Sequence, residues 1–140
     1  MRLEPASEAT KQILDGIRKQ IANGQTIHLK KNASGWQYGG KEFNENVESL
    51  RQQMQQELGN QGFNVVGCTV RHFVKGANIL NYLYPAKRIL MIPINGISTL
   101  STGGESPPDK YCYIEGPRPT LAGENIDVVF IGFEIKDEYK

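Results

Sequence analysis

Cysteine, histidine and long apolar runs are all scarce in this chain, and each shortage closes off a class of function. Cys68 and Cys112 are the only cysteines and His28 and His72 the only histidines among 140 residues. Structural zinc takes four closely spaced Cys or His ligands, so four scattered ones give no reason to expect a metal or other cofactor. Two thiols in a chain long enough to build its own core read as small buried hydrophobes in a reducing compartment. The longest apolar runs, Ile89 to Ile94 and Val128 to Gly132, fall far short of the roughly 20 residues that span a bilayer. Met1-Arg2-Leu3-Glu4-Pro5 leads straight into a polar amphipathic stretch without a hydrophobic leader segment. The expectation is a cytoplasmic protein that does not engage a membrane. Gly39-Gly40 and Gly103-Gly104 lack the spacing and strand-to-helix context of phosphate-binding loops.

What is present suits one folded domain over residues 1–140, since 39% hydrophobic and 22% charged residues are globular rather than disordered proportions. Ile13, Leu14, Ile17 and Ile21 recur at helical spacing and predict a helix from about Pro5 to Ala22, with Pro5 in its first turn and Gly24 ending it. Phe43, Val47, Leu50, Met54 and Leu58 predict a second helix from about Glu45 to Leu58, capped by Asn44. Thr26 to Lys30 alternates and turns through Asn32-Ala33-Ser34-Gly35 into Trp36-Gln37-Tyr38, a β-hairpin pattern. Beyond Gly62 the reading is all strand: Phe63–Val74, Ile79–Tyr84, Arg88–Ile94, Ile97–Leu100, Tyr111–Ile114 and Ile126–Ile135. Asn95-Gly96 is a hairpin signal, and Pro93 demands an edge position or a bulge. Val128 to Phe133 is apolar on both faces apart from Gly132, which marks a central strand covered on both sides. The fold class is therefore α+β, with two amphipathic helices packed on one face of a mostly antiparallel sheet of about five to seven strands.

Charge is unevenly distributed. No acid occurs from Gly16 to Lys41 or from Gly59 to Gly104, whereas eight acids face four bases from Glu105 onward. Lys30, Lys31, Arg71, Lys87 and Arg88 form a basic set, and Trp36, Tyr38, Tyr82 and Tyr84 supply aromatic surfaces beside it. That combination is how non-sequence-specific single-strand binders hold nucleic acid. The competing reading is that core strands lack acids because they are apolar and that tyrosines suit sheets.

Two other constellations carry chemistry. Pro108-Asp109 followed by Glu134-Ile135-Lys136 resembles the Pro-Asp…Glu-x-Lys pattern of a restriction-type nuclease superfamily. The resemblance covers five residues and implies two carboxylates on a divalent metal, with the lysine positioning the attacking water. A charged strand end explains Glu134 and Lys136 equally well. Cys68 and His72 share one face of a strand but stand roughly 13 Å apart, too far for a proton-transfer pair.

No acid–base or metal constellation outweighs its structural explanation, so the reading is a non-catalytic binding or assembly module. It acts through a protein partner or self-association, with Trp36 and Tyr38 on the contact surface. The alternatives are nucleic-acid binding through the basic and aromatic set, and a nuclease-like enzyme using Asp109, Glu134 and Lys136.

Overall fold

The computed structural model describes residues 2–79, 88–101 and 103–137. Its elements are β1 (Arg2–Pro5), α1 (Glu8–Ala22), β2 (Ile27–Asn32), β3 (Gly35–Gly39), α2 (Lys41–Gly59), β4 (Phe63–Phe73), β5 (Ala77–Ile79), β6 (Arg88–Asn95), β7 (Ser98–Leu100), β8 (Gly104–Ser106), β9 (Lys110–Glu115), β10 (Thr120–Ala122) and β11 (Ile126–Ile135). The fold is α+β. Seven strands form an antiparallel sheet in the order β1-β9-β6-β11-β4-β3-β2, and β5-β10-β7-β8 form a second, smaller sheet.

The helices form where the apolar stripes predict, with corrections at their starts. Ser7 caps α1 by accepting the Thr10 N–H at 3.1 Å, and Leu14 and Ile17 are fully buried. Pro5 is not in the helix: residues 2–5 pair with Tyr113 to Lys110 as β1, which spends their backbone groups on the sheet. The second helix begins four residues before the expected Glu45. Gly40, at φ 118°, stands at its N-cap and no side chain caps it, so Phe43 is buried inside the first turn. The side chains these helices bury join one cluster with Val70, Leu90, Ile92, Val129, Ile131 and Phe133.

Strand β11 separates that cluster from a second one. Its alternate residues Ile126, Val128 and Phe130 face the other way, against Phe73, Ile89, Met91, Leu100, Cys112 and Leu121. Leu100 and Leu121 come from the small sheet, which explains why Val128 to Phe133 is apolar on both faces. Full burial of side chains of this size stabilises by about 1.5–3 kcal/mol each.

Asn95-Gly96 does not close a hairpin. Strand β7 pairs with β8 and β10 rather than with β6, and Gly96 (φ 82°) redirects the chain into the small sheet. There is no room there for a side chain, because a Cβ on Gly96 would meet Ile126 Cγ2 at 2.8 Å. Strand β6 is central, so Pro93 is accommodated by the bulge alternative: Asp127 pairs with Asn95 and Val128 with Pro93, leaving Ile94 unmatched. The expected loop over Ser101–Asp109 contains β8, and the expected strand Ile79–Tyr84 falls largely outside the described residues. No described helix is long and apolar enough to cross a membrane.

Two polar clamps fix the helices. Glu57 accepts from Ser7 Oγ, Thr10 Oγ1 and Gln53 Nε2, each at 2.8 Å, and lies 2.8 Å from the Tyr111 hydroxyl. Arg18 donates to both carboxylate oxygens of Asp109 at 2.8 and 3.1 Å and to Ile94 O at 3.3 Å, while also pairing with Asp15.

Candidate functional site

The registers of β3, β4, β11 and β6 align Trp36, His72, Asp127 and Asn95 in one row across the large sheet. Along β4 and β11 this row shares the face of Val70, Val129 and Ile131, where a side chain meets the helix-side core. A buried carboxylate there must be satisfied by donors, and Asp127 is. Its Oδ1 accepts from the Tyr38 hydroxyl at 2.6 Å and faces His72 Nδ1 at 2.8 Å, and its Oδ2 accepts from Asn95 Nδ2 at 2.9 Å. Asp127, Tyr38 and His72 are all buried. Burial raises the Tyr38 pKa, and the bond to Asp127 raises it further, so this hydroxyl stays a proton donor throughout the neutral range.

His72 is also held through one face of its ring. Trp36 stacks on it at 4.2 Å between centroids, and His28 stacks on the far side of Trp36 at 4.0 Å, with planes within 14°. Lys31 Nζ lies 5.3 Å from the Trp36 ring centroid. A bulge in β2 places it there, Lys30 and Lys31 together spanning the ground opposite Trp36. Slight burial, then the charges of Lys31 and His72, lower the His28 pKa against the pull of Asp127.

An Asp–His pair is the positioning half of a catalytic triad. Here the remaining nitrogen, Nε2, is turned toward Asn125 Oδ1 at 3.3 Å rather than toward a nucleophile. The thiols are unsuited to that role as well. Burial pushes the Cys68 thiol up to about 12 and raises that of Cys112, so neither is a thiolate at neutral pH. The two cysteines form no disulfide.

The other residues singled out from the sequence are dispersed. Asp109 is engaged by Arg18, and its N–H bonds Pro93 O. Glu134 is exposed at the far end of β11, roughly 20 Å of strand away from the residue that pairs with Pro93. Lys136 Nζ donates to Gly59 O at 3.1 Å, closing the end of α2. Among the described residues no three His, Cys, Asp or Glu side chains gather as a metal site.

Of the basic set, Arg88 pairs with Glu115 at 3.6 Å, and Lys30 and Lys31 lie exposed on β2. Arg71, neighbour of His72, lies on the opposite face of β4. Tyr82, Tyr84 and Lys87 lie outside the described residues. Trp36 has a histidine on each face, and Tyr38 is buried with its hydroxyl on Asp127. Comparison with protein-family models, with curated proteins and with solved structures finds no match.

Asp127 and Asn125 were not singled out from the sequence, and Asn95 was read only as half of a hairpin signal. One signal did exist: His72 stands two residues after Val70 and Asp127 two before Val129, each on the core-facing side of its strand. Their meeting depends on a β4–β11 register that links residues 55 positions apart.

One exposed surface remains on the hairpin. Strand β2 ends the large sheet, every residue in it is exposed, and no described strand pairs with its outer edge. Ile27 is 56% and Leu29 38% exposed. Both lie beside Gly39, whose missing side chain makes room for Leu29.

Proposed function

We propose that the protein is a non-catalytic assembly module that self-associates through the free edge of β2. The observation that carries this reading is the edge itself: six exposed residues, no pairing strand on the outer side among the described residues, and the apolar pair Ile27 and Leu29. Edges of this kind are templates for pairing where they are not blunted, and the bulge with Lys30 and Lys31 blunts only the end of β2, leaving Ile27 to Leu29 to pair. The opposite edge, β1, is shorter and ends at Pro5.

Two copies meeting antiparallel about a two-fold axis satisfy each other's donors and acceptors with one patch. Any register that brings Ile27 and Leu29 of both copies together sets Lys30 and Lys31 against the uncharged Asn23 to His28 segment, counting His28 as neutral. No lysine then faces a lysine. The buried row of Asp127, His72 and Tyr38 supports the edge from behind by locking β3 to β4 and β11.

Sedimentation equilibrium over a wide concentration range tests the reading. The wild-type chain is expected to dimerise reversibly. The double variant Ile27→Lys, Leu29→Lys should be monomeric with its melting temperature kept, because both side chains are exposed. Ile97→Lys, altering an apolar residue 70% exposed at the entry to the small sheet, should leave association unchanged. A wild-type chain that stays monomeric throughout refutes the proposal.

A further inference from the structure

Among the described residues, Arg71 is a cation without a partner. Its Nε is buried and makes no hydrogen bond, and no described carboxylate pairs with its guanidinium. Burying the Nε–H unsatisfied is costly, and with no carboxylate among the described residues to neutralise the guanidinium, its two terminal nitrogens are left to meet an acceptor from outside the chain. The residue lines a cavity of about 160 Å³ at the tip of the β2–β3 hairpin, together with Asn32, Ser34, Gly35, His72 and Phe73. Among the described residues lining it there is no acid.

The tip is built to present donors. Asn32 Oδ1 accepts the N–H groups of Ser34 at 2.8 Å and Gly35 at 3.2 Å, which leaves its Nδ2 as an uncommitted donor. Ser34 Oγ takes part in no hydrogen bond among the described residues, and its carbonyl is fixed by the Val74 N–H at 2.9 Å. Gly35 lets the two strands close up, since a Cβ there would stand 1.8 Å from His72 O. The loop is thereby held against β4 with Asn32, Ser34 and Arg71 around one concavity.

We propose that this cavity is an oxyanion site that takes a phosphate group. Arginine presents a planar fork matched to phosphate oxygens, and the hydroxyl and amide supply further donors. The volume corresponds to about five waters, enough for a phosphate and the first atoms of an ester. Asp127, the buried carboxylate nearest in register, lies on the opposite face of the sheet with donors on both of its oxygens.

The test is a titration of the full chain with inorganic phosphate and with methyl phosphate, at constant ionic strength in chloride, followed by backbone amide shifts. Saturable changes at Ser34, Gly35 and Arg71 are expected. Arg71→Gln should abolish them, and Ser34→Ala should weaken binding roughly tenfold, the loss of one charge-assisted hydrogen bond. Ser34 is exposed, so that variant keeps the test valid if Arg71→Gln fails to fold. Methyl phosphate binding as tightly as the free anion assigns the site to an ester, and binding of inorganic phosphate alone assigns it to the free ion. Shifts that never saturate, or that survive unchanged in both variants, overturn the proposal. None of these outcomes depends on pairing at β2.

Discussion

Asp127 occupies a position where strand periodicity asks for an apolar side chain, and the structure answers with three donors. Removing the carboxylate leaves the Tyr38 hydroxyl, the His72 ring and the Asn95 amide in a space shaped for an acceptor. A buried polar group stranded in this way costs about 1–3 kcal/mol, and such costs within one network are not additive. Asp127→Ala is therefore expected to lose about 3 kcal/mol or more in urea unfolding, whereas Asp127→Asn, which keeps one acceptor oxygen, loses less. Trp36, the sole tryptophan, reports locally, because freeing His72 from Asp127 disturbs the stack and shifts its emission. An alanine variant within about 1 kcal/mol of wild type, with unaltered emission, would show that the row is not coupled. Little of this was legible in the sequence. Periodicity places His72 on a core-facing position, but partnership needs the register between strands far apart in the chain.

Elements were legible where a long stripe declares them. Leu14 and Ile17 in α1, and Leu50, Met54 and Leu58 in α2, sit at helical spacing and are all fully buried. Short strands carry no such signal. Strands β5, β8 and β10 have three residues each, too few for alternation to show, β7 was found only because it follows Asn95-Gly96, and β1 is disguised by the proline that ends it. Equally hidden is the clamp that sets α2 against α1 and β9, because Glu57 looks like any exposed helical acid. Burial alone would raise its pKa, but hydrogen bonds from Gln53, Tyr111, Thr10 and Ser7 outweigh that effect, and the net shift is downward. A depressed native pKa means stability that is present above the unfolded value near 4.5 and lost as pH falls through the lower native value. Melting temperature against pH for wild type and Glu57→Gln checks this. The variant should be less stable at neutral pH by about 1 kcal/mol, a figure held down by the half-exposed setting. The two curves should converge below pH 4.5. Parallel curves across the acid range would mean that Glu57 is not held in its ionised form by the fold.

For the whole molecule, the consequence of a sheet covered on both sides is that one strand belongs to two cores. Strand β11 sends Val129, Ile131 and Phe133 toward the helix-side cluster and Val128 and Phe130 toward the small sheet, so both layers depend on its staying in place. The sequence announced a doubly covered strand, yet the second cover could not be read, because its residues are scattered over four short segments. Phe130 is the clearest probe of the coupling. It is fully buried and meets Phe73 edge to face at 6.1 Å between centroids, with no helix residue in its cluster. Phe130→Ala should cost about 3–5 kcal/mol, the range for emptying a buried phenylalanine site. If the two clusters form one cooperative unit, far-ultraviolet dichroism, dominated by the helices, and Trp36 fluorescence will lose their signals in one coincident and earlier transition. If they are separable, the variant will lose near-ultraviolet signal from the small-sheet side first while the helices persist to the wild-type midpoint. The second result would show that β11 carries the helix layer without the small sheet, and that the β2–β3 edge, which joins the large sheet through β4, keeps its form when the other layer opens.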